Sequence, residues 1–536
     1  MLGSRAMIQR FPLTLSAPAA LRPGVLIAVL LASGPAPLAQ APSAFRLEET
    51  TIADVHAAFA AKRLTCRQLV ERYLKRIDTY DKNGPAVNAI VVVNPRVLDE
   101  ADALDRRYAQ TGPIGPLHCV PTIVKDNFET IGLQSAAGSA SLAGFVSDKD
   151  AFQVRRIKAA GALVLAKSNM AEYAFSPVET VGSLLPGYTK NPYALDRVTA
   201  GSSGGTAAAV AANFGLVGLG SDTGNSIRGP SSHNALAGIR STMGLTSRAG
   251  VVPLNLFADI AGPMARTLTD AVAVFQTIVG EDPDDPATSA SRGRVIPSYG
   301  ASLVADGLKG RRIGVLHQAY ERDTTDPEIV DVFRVALDDM RRAGASVVDV
   351  TMASLDGIRR SQSAGPCGGF KYDINRYLRG HGDRVPVHSL EEIIKSGKFH
   401  PSIQKRLETA QEGPEHGPES EACAADRDYR EAVRKVVVDT MASLTLDAMV
   451  YPTWSNAPRL IGDLTTPAGD NSQFFSPTTG FPAINVPMGY TRGGVLPVGV
   501  TFFGRAWDEP TLIALAYGYE QATRHRRPPT STPPLR

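Results

Sequence analysis

From about Leu47 onward, short apolar runs alternate with segments whose apolar residues recur at helical spacing. Strands alternating with helices imply an α/β architecture with much of the sheet covered on both faces. Thr65 with Gln68 resembles a capping box, opening a helix with Leu69, Val70, Tyr73, Leu74 and Ile77 on one face. Asn83-Gly84-Pro85 then turns the chain into Ala89-Ile90-Val91-Val92-Val93, which reads as a buried strand. A helix is expected over 97–108, and a strand over 120–124 that ends at Lys125. The alternation continues with a helix at 151–160, a strand at 162–165, an alanine-rich helix at 207–213 and an extended run at 216–219. Beyond the turn-rich connector 281–286 lies a further β-α-β unit, 312–316, 327–342 and 346–350. Residues 368–434 read as a polar, helical and variable region. Strands return at 483–487 and 498–503, and a last helix at 509–521. The connector could divide two domains, or the late strands could complete the first sheet.

Charge and cysteine usage narrow the function. With 56 basic and 53 acidic residues the net charge is +3, which points to neither a nucleic-acid nor an anionic-membrane partner. Cys66, Cys119, Cys367 and Cys423 are far apart and form no CxxC pair, so no metal site is expected; disulfides are possible, but their pairing is not legible. Residues 1–41 differ from the rest. Arg5, Arg10 and Arg22 precede the apolar run 25–32, and small residues follow to Ala41. This reads as a secretory signal peptide, with a disordered leader as the alternative, and makes a periplasmic or secreted protein the expectation and a cytoplasmic one the fallback. No other segment reaches eighteen consecutive apolar residues, so no membrane span is expected in the mature chain. His525-Arg526-Arg527 beside several prolines reads as the start of a solvated tail, 526–536, disordered, leaving 42–525 as the folded body.

Three segments place reactive groups where the chain is otherwise apolar or glycine-rich: Gly201-Ser202-Ser203-Gly204-Gly205, the stretch Ser221 to Pro230, and Lys125-Asp126-Asn127. Glycines beside a serine let backbone N–H groups approach a ligand oxygen, as an oxyanion-stabilising loop requires. Alone, each has a plain reading: a flexible turn, a surface lysine after a strand, and a structural ion pair between Asp222 and Arg228.

Together, in this order, they resemble the amidase signature family. The likeness rests on the Gly-Ser-Ser-Gly-Gly loop, Asp222-Thr223-Gly224-Asn225-Ser226-Ile227-Arg228, Ala237-Gly238-Ile239-Arg240, the upstream segment from Gly115 to Asn127, and the closing Gly480-Phe481-Pro482-Ala483, Val486-Pro487 and Pro497-Val498-Gly499. It covers about 47–523. Cys119 stands where a glycine is common, and Asn225 where a second glycine or another residue often appears. The resemblance implies one large domain, a central mixed twisted sheet covered by helices on both faces. It also implies an amide-bond hydrolase that needs no cofactor and acts on a small-molecule amide. Ser226 would be the nucleophile and Ser202, preceded in the family by a cis peptide bond, the bridge; Lys125 would be the base. The backbone N–H groups of Thr223, Gly224, Asn225 and Ser226 would form the oxyanion hole, with Ser203, Asp222 and Arg228 in support.

A lysine serves as a base only when uncharged, so its ordinary value near 10.4 must fall through burial. Rival readings are an ester- or carbamate-cleaving member of the same family, the glutamyl-tRNA amidotransferase subunit that shares the signature, and a catalytically silent protein on the same fold. A nucleophile elbow centred on Ser203 is a further rival; that elbow must follow a strand, and 191–197 reads as a loop. The substrate is not legible in the sequence.

Overall fold

The computed structural model describes residues 45–175, 180–355, 357–358, 367 and 369–535. The leader 1–41, and the expectation of export attached to it, lie outside the described residues. Thirteen strands are described: β1 (Ile90–Val93), β2 (Pro121–Lys125), β3 (Leu163–Ser168), β4 (Lys190–Asn191), β5 (Ala194–Val198), β6 (Val217–Asp222), β7 (Ala237–Arg240), β8 (Ile260–Ala265), β9 (Arg312–Leu316), β10 (Ser346–Val350), β11 (Ala448–Pro452), β12 (Ala483–Thr491) and β13 (Leu496–Phe503).

Eleven of them form one mixed sheet in the order β1-β3-β2-β6-β8-β7-β12-β13-β11-β9-β10, and β4 pairs with β5 apart from it. β3, β2 and β6 run parallel, as do β11, β9 and β10, with antiparallel pairs between the two groups. β12 and β13 lie between β7 and β11, so the late strands complete the first sheet and the connector separates no second one. The central strands are buried along nearly their whole length because both faces are covered, which is why they read as apolar runs without polar alternation.

Local chemistry explains the helix boundaries. Thr65 and Gln68 form both hydrogen bonds of the capping box at the start of the helix Cys66–Ile77. Pro327, whose missing N–H costs nothing at a first turn, opens the helix Pro327–Arg342 behind the Asp326 cap. The helix Gly204–Ala211 is buried on all sides, so small residues are what fit between it and the sheet.

Two expectations change. β1, which reads as a buried strand, is the sheet edge, and Val93 is 37% exposed; an apolar run alone does not distinguish an edge from a centre. The segment 526–535, expected as a solvated tail, packs on the body. Arg526 donates to both oxygens of Glu49 at 2.8 Å and to Ala235 O at 2.9 Å. The fully buried Arg76 donates to Thr532 O at 2.8 Å and Pro533 O at 3.0 Å. Buried guanidiniums need acceptors, and this proline-rich backbone supplies carbonyls.

The cysteines pair as Cys66–Cys119 and Cys367–Cys423. Cys119 has φ +53°, a left-handed conformation in which a glycine is easily placed; here its side chain is instead tied to the first turn of the helix Cys66–Ile77. The cross-link closes a loop across 53 positions, and its entropic effect on the unfolded chain is about 4 kcal/mol. The double variant Cys66→Ser/Cys119→Ser is expected to lose stability of that order, read as the change in urea-unfolding free energy under non-reducing conditions.

Candidate active site

The carboxyl ends of two adjacent parallel strands set the site. Lys125 is the last residue of β2 and Asp222 the last of β6, so the loops that follow leave the sheet side by side. Lys125 is fully buried. Its Nζ lies 2.7 Å from Ser202 Oγ, 2.9 Å from Ser221 Oγ and 3.4 Å from Ser221 O. No carboxylate pairs with it among the described residues. A hydroxyl can accept from an ammonium and donate to an amine, so these partners serve both charge states. Burial pulls the lysine down to about 7, against the opposing pull of Asp259 and Asp222. Asn127 Nδ2 donates to Ser221 Oγ at 3.0 Å and fixes that hydroxyl in turn.

Ser202 lies in the loop before the helix Gly204–Ala211 and follows a cis peptide bond from Gly201. Its carbonyl accepts from Ala171 N at 3.1 Å. The glycines here serve close approach rather than unusual dihedrals: a Cβ on Gly205 would sit 2.3 Å from Asn169 O. Ser203 donates its N–H to Ser226 O at 3.3 Å and its hydroxyl to Ser221 O at 3.1 Å, so it splices the two serine loops together and its oxygen is occupied. β5 does precede this loop, contrary to the loop expected over 191–197, yet it belongs to the small hairpin with β4 and not to the central sheet.

Asp222 shapes the third segment. Its Oδ2 accepts from Ile227 N at 3.1 Å, Arg228 N at 3.3 Å and Arg228 Nε at 3.1 Å. Its Oδ1 accepts from Arg228 Nη2 at 3.2 Å and Arg240 Nη1 at 3.0 Å. All three side chains are fully buried. Burial alone would raise this carboxyl; the two guanidiniums hold it well below the ordinary carboxylate range. The structural ion pair is therefore present, and it bends 222–228 into a tight loop. Along that loop the N–H groups of Thr223, Gly224, Asn225 and Ser226 donate to no acceptor among the described residues. Gly224 is packed beneath Gln473, where a Cβ would meet Oε1 at 2.1 Å. Asn225 Nδ2 donates to Asp470 Oδ1 at 2.8 Å. The Ser226 hydroxyl has no hydrogen-bond partner among the described residues, and the residue is 3% exposed.

Lys125 and Ser202 are thus in direct contact, and Ser226 is joined to them through the Ser203 backbone. Three residues of the site carried no assigned role in the sequence. Ser221 shares the lysine, Arg240 the aspartate, and Asp259 accepts from Thr223 Oγ1 at 2.5 Å. Ser221 and Arg240 lie inside the quoted motifs, and only strand register reveals what they touch; Asp259 lies beyond them.

Replacing Asp222 with Asn would leave two buried guanidiniums short of their anion. The expected loss is about 3–5 kcal/mol in chemical denaturation, the usual size for breaking a buried pair from one side.

The family model described as Amidase matches residues 68–513. A probable amidase of Arabidopsis thaliana is 35% identical over 522 residues, 94% of this chain and 95% of that one. A glutamyl-tRNA(Gln) amidotransferase subunit of Acinetobacter baumannii is 31% identical over 489 residues, 89% and 96% of the two chains. Among solved structures, the native peptide amidase of Stenotrophomonas maltophilia superposes with a TM-score of 0.79 at 36% identity, covering 90% of this chain and 98% of that one. With a family model across most of its length and a relative this similar from end to end, the chain belongs to the amidase family.

Proposed function

We propose that the protein hydrolyses carboxylic amides through an acyl-enzyme on Ser226, with Ser202 as proton bridge and Lys125 as base. The observation that carries this reading is the buried Lys125 amine, without a carboxylate partner among the described residues, hydrogen-bonded to Ser202 at 2.7 Å. In the first half-reaction Ser226 Oγ forms a bond to the amide carbon. Its proton passes to Ser202, whose own proton passes to Lys125. The carbonyl oxygen becomes an oxyanion facing the unused N–H groups of 223–226. Collapse breaks the C–N bond, and the proton held by Lys125 returns through Ser202 to the leaving nitrogen, which departs as an amine or ammonia. Water then attacks the ester along the same path, releasing acid and restoring Ser226.

The similarity to a structure titled peptide amidase makes peptide C-terminal amides the first substrates to try, beside aryl and alkyl amides, esters and carbamates. We take the helical region 368–434 as the shaper of the acyl pocket: Asp373 accepts from Leu256 N at 2.9 Å, and Leu256 lines the cleft beside Ser221 and Thr223. We place the enzyme in the periplasm or outside the cell, since Cys66–Cys119 and Cys367–Cys423 are stable disulfides only in an oxidising compartment. The likeness to an amidotransferase subunit favours one rival, a protein that needs partner chains to act, and hydrolysis by the isolated chain decides between them.

Mass spectrometry after reaction with a fluorophosphonate is expected to find the label on Ser226. Ser226→Ala abolishes labelling while Ser203→Ala retains it, and the opposite pattern would mark Ser203 as the nucleophile. Lys125→Met lowers kcat/KM about a thousand-fold, the weight of a lost general base. Because only the uncharged amine accepts a proton, kcat/KM rises with pH through about 7 and levels above it. A rate independent of pH between about 6 and 9 would contradict the lysine-base mechanism.

A further inference from the structure

We infer that Asp259 is a positioning residue: it fastens the oxyanion loop through Thr223 and sets the electrostatic potential at Lys125 across a cavity that it lines together with Ser221, the lysine's hydrogen-bond partner. This inference rests on the lysine-base mechanism proposed above.

A narrow cavity runs beside the site, and its polar lining is Asn127, Ser221, Thr223, Arg248 and Asp259. Within this lining Ser221 holds Lys125 and is itself fixed by Asn127, whose Oδ1 is buried without a partner among the described residues. Asp259 lines the same cavity. Its Oδ1 accepts from Thr223 Oγ1 at 2.5 Å, and its Oδ2 from Leu254 N at 2.9 Å and Asn255 N at 3.0 Å. Burial raises this carboxyl above its ordinary value, while the three donors and the charge of Arg248 pull it back toward the ionised form.

Of the charges that act on Lys125, Asp259 comes first and Asp222 second. Asp222, at the end of the neighbouring strand, is covered by Arg228 and Arg240. Arg248, on the cavity wall, is held by Asp285 through hydrogen bonds of 2.8 and 2.6 Å. Asp126, next to the lysine in sequence, lies 3.8 Å from the buried Lys167. Asp373, on the helix Phe370–His381, faces Leu256 N and adds a second carboxylate beyond Asp259. No cation pairs with Asp259 among the described residues. A negative charge there favours the protonated lysine, and among the charges acting on Lys125 it is the largest. It thus counters burial, which on its own would leave the amine a weaker base. The same side chain, through Thr223, fixes the loop whose N–H groups face the developing oxyanion. Base strength and oxyanion geometry are joined at one carboxylate.

The test follows the rate of Ser226 labelling by a fluorophosphonate across about pH 5 to 9, which needs no knowledge of the substrate. In Asp259→Asn the acid limb moves down by about one pH unit, the size of effect a neighbouring charge exerts, and the plateau rate falls. If that variant does not fold, Asn127→Asp adds a negative charge elsewhere on the same cavity lining, and the limb moves up by a comparable amount. A limb that stays in place in a folded variant, with only the plateau lowered, reduces Asp259 to a structural role and overturns the inference alone. Failure of the unaltered protein to label on Ser226 overturns the acyl-enzyme reading and this inference with it.

Discussion

The site depends on a buried lysine with which no carboxylate pairs among the described residues. An ammonium in that position has lost its water and received only hydroxyls and a carbonyl in exchange, so the uncharged amine becomes accessible near neutral pH. A single carboxylate in contact would restore the charge. The strands and loops around Lys125 satisfy its hydrogen bonds while keeping anions at a distance or already neutralised.

Asp222 shows how that is done. It ends the strand beside the lysine's, close enough to act on it, but Arg228 and Arg240 take its charge and Ile227 and Arg228 N–H groups take its remaining lone pairs. The same contacts bend the loop 222–228 so that four successive N–H groups, those of Thr223 to Ser226, meet no acceptor among the described residues. In most folded backbone such groups are paired. Here their availability follows from the loop's tight curvature around a buried ion pair. The buried pair Asp126–Lys167 repeats the theme one residue further along: Lys167 donates to Phe128 O at 2.7 Å and Gln134 O at 3.1 Å, pinning the turn that follows β2.

Much of the architecture was legible from local pattern. The helices Cys66–Ile77 and Pro327–Arg342 and the strands β9 and β10 emerge where apolar spacing, capping and proline placement agree. β7, β8 and β11 were not anticipated: each is short and fully buried, with glycine or proline inside, so neither alternation nor length marks it. The tail 526–535 misled for a different reason. Basic and proline-rich composition signals solvent, and only the carbonyl needs of Arg76 and the carboxylate of Glu49 draw it inward.

The sequence by itself determined the fold class and, through its resemblance to a known family, singled out Lys125, Ser202 and Ser226; taken alone, each of their segments has a plain reading. Tertiary structure decided which of these groups touch. That Lys125 meets Ser202 across 77 positions and Ser221 across 96, that Arg240 joins Arg228 on one aspartate, and that Asp259 reaches Thr223 all follow from strand order and register. Those are set by how a whole sheet buries its two faces, a condition no short stretch of sequence expresses.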